Sequence, residues 1–449
     1  MSITYGKERI LLEIGTAFEP KKEIFDGFVN HRVENYLVDE LKVGRVPKVE
    51  GIYSRKYLKD YDLQSSEESD LHTTIFISHL HLDHMSCMGL VDDLVDVYLS
   101  EPAQKIEYAL EEVGKGVPTL RTNGYKVLDP TIEYKIGDII VKPFLLNEQS
   151  YQDYSFYVKT PDMKLHHTGD IMSHEHYLDN VWKEMEYLKN ENIDVLVMET
   201  TTLMDSVMLM MYDSVDDEIK PQKEYPSHML SKEKVDKLLS KQLTDKEGLC
   251  VFNYYEREME DVLMLKEMAK DNNRILAFEQ ESANVIYKYF NEPVNVYLVD
   301  KKYEQDWYKE LIKNNPVITK KEIWKQPNKY LIQNTYEHIL ELFDLPNKNA
   351  YYLHAGGIPI GEYDPAYQNL KRVIQLCGFK HINFFMENYF SHAYPCQLKY
   401  YCDEIQPKVL VPAHGYNPER LLPHKNSTRL LPKKDVTYIL KDNQLIEEM

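Results

Sequence analysis

The residues with the most chemistry in them lie side by side: His79, His81, Asp83 and His84, in the run Ile77-Ser78-His79-Leu80-His81-Leu82-Asp83-His84. Three imidazoles and one carboxylate within six positions offer neutral nitrogen and anionic oxygen donors to two divalent metals a few ångström apart. The spacing sorts them into pairs. On an extended segment His79 and His81 project to one side, and a turn then brings Asp83 and His84 to a second metal. Such a centre activates water for attack on phosphorus or carbonyl carbon, and Asp83 is the natural partner for orienting that water.

Further donors stand at the ends of apolar runs. Leu165-His166-His167-Thr168-Gly169-Asp170 ends a strand with a carboxylate, Asp170, whose oxygens can bridge two metals, and His167 reads as a packing residue at the strand end. Val409-Leu410-Val411-Pro412-Ala413-His414-Gly415 ends a strand with a histidine and a glycine turn, which places His414 with Asp83, His84 and Asp170 on the second metal. His79 and His81 share the first metal with Asp170.

The elements that must position these groups are short and strand-rich. From residue 1 to about 203, β-like runs at Arg9–Ile14, Thr73–Ile77, Asp138–Leu146, Tyr154–Thr160, Met163–His167 and Asp194–Met198 alternate with helical stretches at Glu101–Glu112 and Val181–Asn190. This fits an αββα layer structure. A separate βα series then begins: strand Gly248–Tyr254, helix Glu256–Lys270, strand Arg274–Phe278, helix Ser282–Phe290 and strand Val294–Val299. Strand Ala350–His354, helices Ala366–Leu376 and Gln397–Ile405, and strands Lys408–Pro412 and Val436–Leu440 suit completion of the first sheet. The expected division is 1–203 and 347–449 for a discontinuous first domain, with 204–346 inserted.

The histidine motif, the Thr-Gly-Asp turn and the terminal Pro-Ala-His-Gly together resemble the metallo-β-lactamase fold superfamily. Its redox members that use iron usually carry Glu where this chain has His81, so the resemblance implies hydrolysis. The insertion, Phe390-Ser391-His392-Ala393 and the following helix are similar to the β-CASP branch, which includes ribonuclease J. The resemblance implies an αββα sandwich interrupted by a β-CASP-like α/β domain, with the active site between them. It puts Glu199, in Asp194-Val195-Leu196-Val197-Met198-Glu199, in the role of orienting a ligand histidine. It makes His392 a proton donor or oxyanion stabiliser, and brings Arg257 and Ser391 to the substrate.

The chain departs from that pattern in places. Where members carry another ligand histidine it reads Asn147-Glu148-Gln149-Ser150, which puts Glu148 on the first metal; a carboxylate there favours manganese or magnesium over zinc. Leu12-Glu13-Ile14-Gly15 has Glu where Asp is usual. The resemblance implies two divalent metals, zinc or alternatively manganese, and a phosphodiesterase or nuclease acting on RNA or single-stranded DNA. Alternatives are hydrolysis of a small phosphoester, lactone or cyclic nucleotide, or a silent binding protein of the same fold.

Composition limits partners. At 449 residues the chain exceeds the roughly 250–300 at which single cores stop growing. With 53 Lys plus Arg against 73 Asp plus Glu the net charge is −20, which disfavours a broad basic face. A cluster at Arg420, His424, Lys425, Arg429, Lys433 and Lys434 is the candidate basic lip. The five cysteines are scattered and form no thiolate motif. With no run near the roughly 18 apolar residues of a membrane span, the expectation is a cytoplasmic protein with no membrane partner, as a monomer or homodimer, acting on nucleic acid or a small anionic phosphoester.

Overall fold

The computed structural model describes residues 1–449 except 18, 26–28, 148–151, 172–177, 228, 230, 245, 301–302, 384–391 and 449. The first sheet runs in the order β1 (Ser2–Tyr5), β2 (Glu8–Leu12), β3 (His72–Phe76), β4 (Asp96–Leu99) and β5 (Lys126–Val127), parallel from β2 onward. The second begins with β6 (Tyr134–Ile136), β7 (Ile139–Asn147), β8 (Asp153–Lys159), β9 (Lys164–His167) and β10 (Val195–Thr200). The third is wholly parallel, in the order β14-β13-β12-β15-β11-β16-β17. Its strands are β11 (Cys250–Tyr254), β12 (Ile275–Glu279), β13 (Val296–Tyr297), β14 (Val317–Ile318), β15 (Tyr330–Gln333), β16 (Tyr351–Ala355) and β17 (Lys380–Asn383). Late in the chain β18 (Val409–Gly415) and β19 (Thr428–Arg429) return to the second sheet beside β10.

The first two sheets face one another, and the two-residue period of their strands builds the layers. Ile10, Leu12 and Phe76 of the first meet Val141, Phe156, Val158, Val195, Val197, Val409 and Val411 of the second in one core. The alternate residues Leu196, Met198 and Leu410 point to the other face, under helices Leu178–Glu191 and Pro395–Ile405. On the outer side of the first sheet, Ile75 and Val97 pack beneath helix Glu101–Glu112, capped by the Ser100 hydroxyl accepting from Ala103 N. The result is the expected αββα sandwich. The third sheet docks on that outer layer, helix Gln280–Phe290 lying along Glu101–Glu112.

Two strands differ from expectation. Tyr351–Ala355 pairs with Cys250–Tyr254, so it extends the third sheet instead of completing the first. Strand β20 (Tyr438–Lys441) forms only a hairpin, with β21 (Gln444–Glu447). All five cysteines are buried thiols. Among the described residues no helix is long and apolar enough to cross a membrane.

Candidate metal centre

Strand β3 hands the chain to the donors through a turn that the first sheet itself shapes. Ile77 N donates to Tyr98 O and Ser78 N to Glu13 Oε1, and His79 and His81 follow on extended backbone. His84 N and Met85 N then donate to His81 O, which winds Asp83 and His84 onto one helical turn. Residues 13–16 strap this turn down: Ile14 N donates to His84 O and Cys87 N to Ile14 O. The crossing is so close that a Cβ on Gly15 would lie 2.1 Å from the Asp83 carbonyl carbon, so only glycine fits. Glu13 adopts left-handed backbone, φ 71°, which costs a non-glycine residue about 1–2 kcal/mol. It brings Glu13 Oε2 to 3.4 Å from His84 Nδ1, turning Nε2 of that ring toward the other donors.

Asp170 arrives from the end of β9. Thr168 N continues the ladder to Val197 O, and Gly169 turns at φ 55° beneath the Tyr154 carbonyl, where a Cβ would sit 2.7 Å from the oxygen. His167 takes no part among the donors; its Nδ1 accepts from Gly169 N and braces the turn. His414 is delivered by a β-bulge. Glu199 pairs with Ala413 and Thr200 with Gly415, leaving His414 as the extra residue, at φ 48°. Gly415 allows this because a Cβ there would meet the Thr200 carbonyl carbon at 2.2 Å.

These segments converge on one carboxylate. Asp170 Oδ2 lies 3.5 Å from His79 Nε2 and 4.0 Å from His81 Nδ1. Its Oδ1 lies 3.4 Å from His84 Nε2 and 3.5 Å from His414 Nδ1. Asp83 Oδ2 is 3.0 Å from His414 Nε2, which is itself 3.0 Å from His84 Nε2. Ligand atoms about 2.0–2.1 Å from one tetrahedral zinc are roughly 3.3 Å apart, so these separations suit shared cations. Asp170 Oδ1 is buried and makes no hydrogen bond among the described residues. The donor set therefore fits divalent metals, with His79, His81 and Asp170 on one side and Asp83, His84, Asp170 and His414 on the other.

The electrostatics agree. Burial, with His84 and His81 beside it, pushes His79 well below the usual imidazole range, into the neutral form that binds metal. Burial opposes ionisation of Asp170, yet His414, His84 and His392 outweigh it and hold the carboxyl well below its ordinary range. Asp83, likewise against burial, is lowered to about 2 by His414 and His84. The carboxylates in turn raise His414 to about 10, Asp170 contributing most against the burial that opposes it. The site demands positive charge, supplied by protons or by a cation.

Glu199 and His392 meet each other beside the donors. His392 Nδ1 lies 2.8 Å from Glu199 Oε2, while the other Glu199 oxygen accepts from Ile171 N. Ala393, whose N donates to Ile171 O and whose carbonyl accepts from Thr202, fixes this segment to β10. Burial opposes protonation of His392, and Glu199 and Asp170 overcome it, raising the ring to about 9.

Other expectations fare differently. Glu148 and Ser391 lie outside the described residues. Arg257 is engaged within the chain: it is buried, ion-paired with Glu107 and hydrogen-bonded to Lys115 O, because its loop is wedged against helix Glu101–Glu112. Half of the basic lip is engaged as well. Arg420 binds Asp205 and the Leu203 carbonyl, Arg429 the Glu419 carbonyl, and Lys433 Glu447. Tyr254 and Tyr352 are core residues. One residue of the centre escaped the sequence entirely: Glu258, whose Oε1 lies 2.8 Å from His81 Nε2. Its only sequence signal is its place at the turn after β11.

No family model and no curated relative matches the chain. Among solved structures, a protein of unknown function from Enterococcus faecalis V583 is similar at 22% identity, covering 96% of this chain and 94% of that one with a TM-score of 0.73. A Cronobacter sakazakii metallo-β-lactamase with a HARLDQ motif matches 43% of this chain and 68% of its own at 12% identity and a TM-score of 0.26. The metallo-β-lactamase fold protein YhfI from Bacillus subtilis matches 44% and 63% at 15% identity and 0.22. The first likeness is a fold shared along nearly the whole chain.

Proposed function

We propose that the protein is a metal-dependent hydrolase whose two divalent cations, zinc or manganese, share Asp170, and whose substrate is a compact anionic phosphoester. The observation that carries this reading is the division of the two Asp170 oxygens between His79 and His81 on one side and His84 and His414 on the other. Bound there, a pair of divalent ions polarises the scissile centre and makes water acidic enough to ionise near neutral pH. The chain's own groups do the rest. Asp83 accepts a hydrogen bond at the water's side of the centre. Glu199 occupies His392 Nδ1, which leaves Nε2 to donate to the developing negative charge or the leaving oxygen.

The engagement of Arg257 and Arg420 supports a compact substrate over a long polyanion, as does the charge of −20. The second reading, a nuclease, is favoured by the Glu199–His392 pair.

The test is turnover of bis(4-nitrophenyl) phosphate beside labelled single-stranded RNA, using metal-stripped protein refilled with zinc or manganese. We expect hydrolysis of the small diester that Asp170→Asn reduces by more than about 100-fold, with weak RNA binding. Tight, steeply salt-dependent RNA binding with cleavage would favour the nuclease. Two bound metals with no turnover of either substrate would overturn hydrolysis of phosphodiesters.

A further inference from the structure

The loop that follows β11 belongs to the third sheet but is fastened to the metal-binding sandwich along its length. Glu256 takes both oxygens to Lys115 Nζ at 2.9 Å. Arg257 pairs with the buried Glu107, and nearby Asn284 Nδ2 donates to Glu112 Oε2 at 2.8 Å. Glu258 N closes the turn onto Tyr255 O, and the next residue starts helix Met259–Asp271. Glu258 stands at the N-cap position of that helix, and its side chain makes no cap hydrogen bond. It reaches His81 instead, while the Tyr255 ring stands edge-on to the same imidazole, centroids 5.5 Å apart.

The two nitrogens of His81 are thereby distinguished. Nδ1 faces Asp170 Oδ2 and Nε2 faces Glu258 Oε1. A carboxylate on the outer nitrogen holds the proton there, keeps Nδ1 bare for a metal and makes it a stronger donor. Resting on the metal centre proposed above, we propose that Glu258 is a positioning residue for the first metal, supplied by the third sheet to a histidine of the sandwich.

The experiment is metal titration of the full chain against a competing fluorescent chelator, with zinc and with manganese. It is run in His414→Ala, which keeps the first position, and in His79→Ala, which keeps the second. Glu258→Ala is expected to weaken the first position by about 10–100-fold and to leave the second unchanged. Glu258→Gln, isosteric and still able to accept from Nε2 but without the charge, should restore part of the affinity and leave a loss at the first position, whereas a mere packing defect would be rescued in full. Should Glu258→Ala fail to fold, Glu258→Gln still decides the matter, through a smaller loss confined to the first position. Unchanged affinity in both variants, or equal loss at both positions, overturns the inference while leaving the hydrolase reading standing. A wild type that binds neither metal overturns both.

Discussion

His414 concentrates the conflict within the centre. It stands on strained backbone between Asp83 and Asp170, and those carboxylates raise its pKa from the ordinary 6.5 to about 10. A group whose folded value is raised contributes stability that is fully present below its unfolded value and disappears as pH climbs through the folded one. Metal-stripped protein should therefore lose thermal stability steadily from about pH 6.5 to about pH 10, with His392, raised to about 9, adding to the loss. A bound cation replaces those protons, so refilled protein should hold its melting temperature across the same window. Scanning calorimetry of both forms at several pH values checks this. A stripped protein whose stability rises over that range would contradict the charge balance described for Asp170.

At the scale of elements, the legible parts were those encoded locally. The strand before His79 and the glycines at 15, 169 and 415 show in the chain as apolar runs ending in turns, and the folded strands end there. The third sheet was harder. A fully buried parallel strand such as Tyr351–Ala355 reads the same whichever sheet takes it, because both of its faces are apolar or covered. The Glu107 partner of Arg257 was hidden for a related reason: an arginine at a strand-to-helix turn looks alike whether a phosphate or a buried Glu107, 150 residues away, awaits it. Glu258 was invisible because its partner lies 177 residues away. The structural role of Arg257 has a measurable consequence. Removing one partner of a buried pair costs about 3–5 kcal/mol, so Arg257→Ala should unfold at much lower denaturant, and Glu107→Leu with Arg257→Met should recover most of that loss. A nearly neutral Arg257→Ala that mainly weakens substrate binding would return this residue to the substrate.

Across the whole molecule, the proposed metal centre is assembled from two bodies of structure. Six of its donors, His79, His81, Asp83, His84, Asp170 and His414, belong to the sandwich, and the carboxylate behind His81 belongs to the third sheet. How firmly that sheet sits should therefore be felt at the first metal. Lys115 is the place to loosen it, because it joins the sandwich to Glu256 in the loop that ends in Glu258, and it touches no metal donor. Burial opposes its charge, but Glu256, Glu281 and Glu337 outweigh that and raise its pKa, so the ammonium stays charged throughout the working range. A partly exposed pair of this kind is worth up to about 1 kcal/mol, equivalent to about 5-fold in an equilibrium constant. Lys115→Met, which keeps the packing of the stem, should weaken the first metal by no more than that and leave the second as it was. Chelator competition at both positions reads the result directly. An effect equal at both metals would mean that the clamp serves the stability of the fold alone, whereas a loss confined to the first would show that docking of the third sheet is felt through Glu258 at His81.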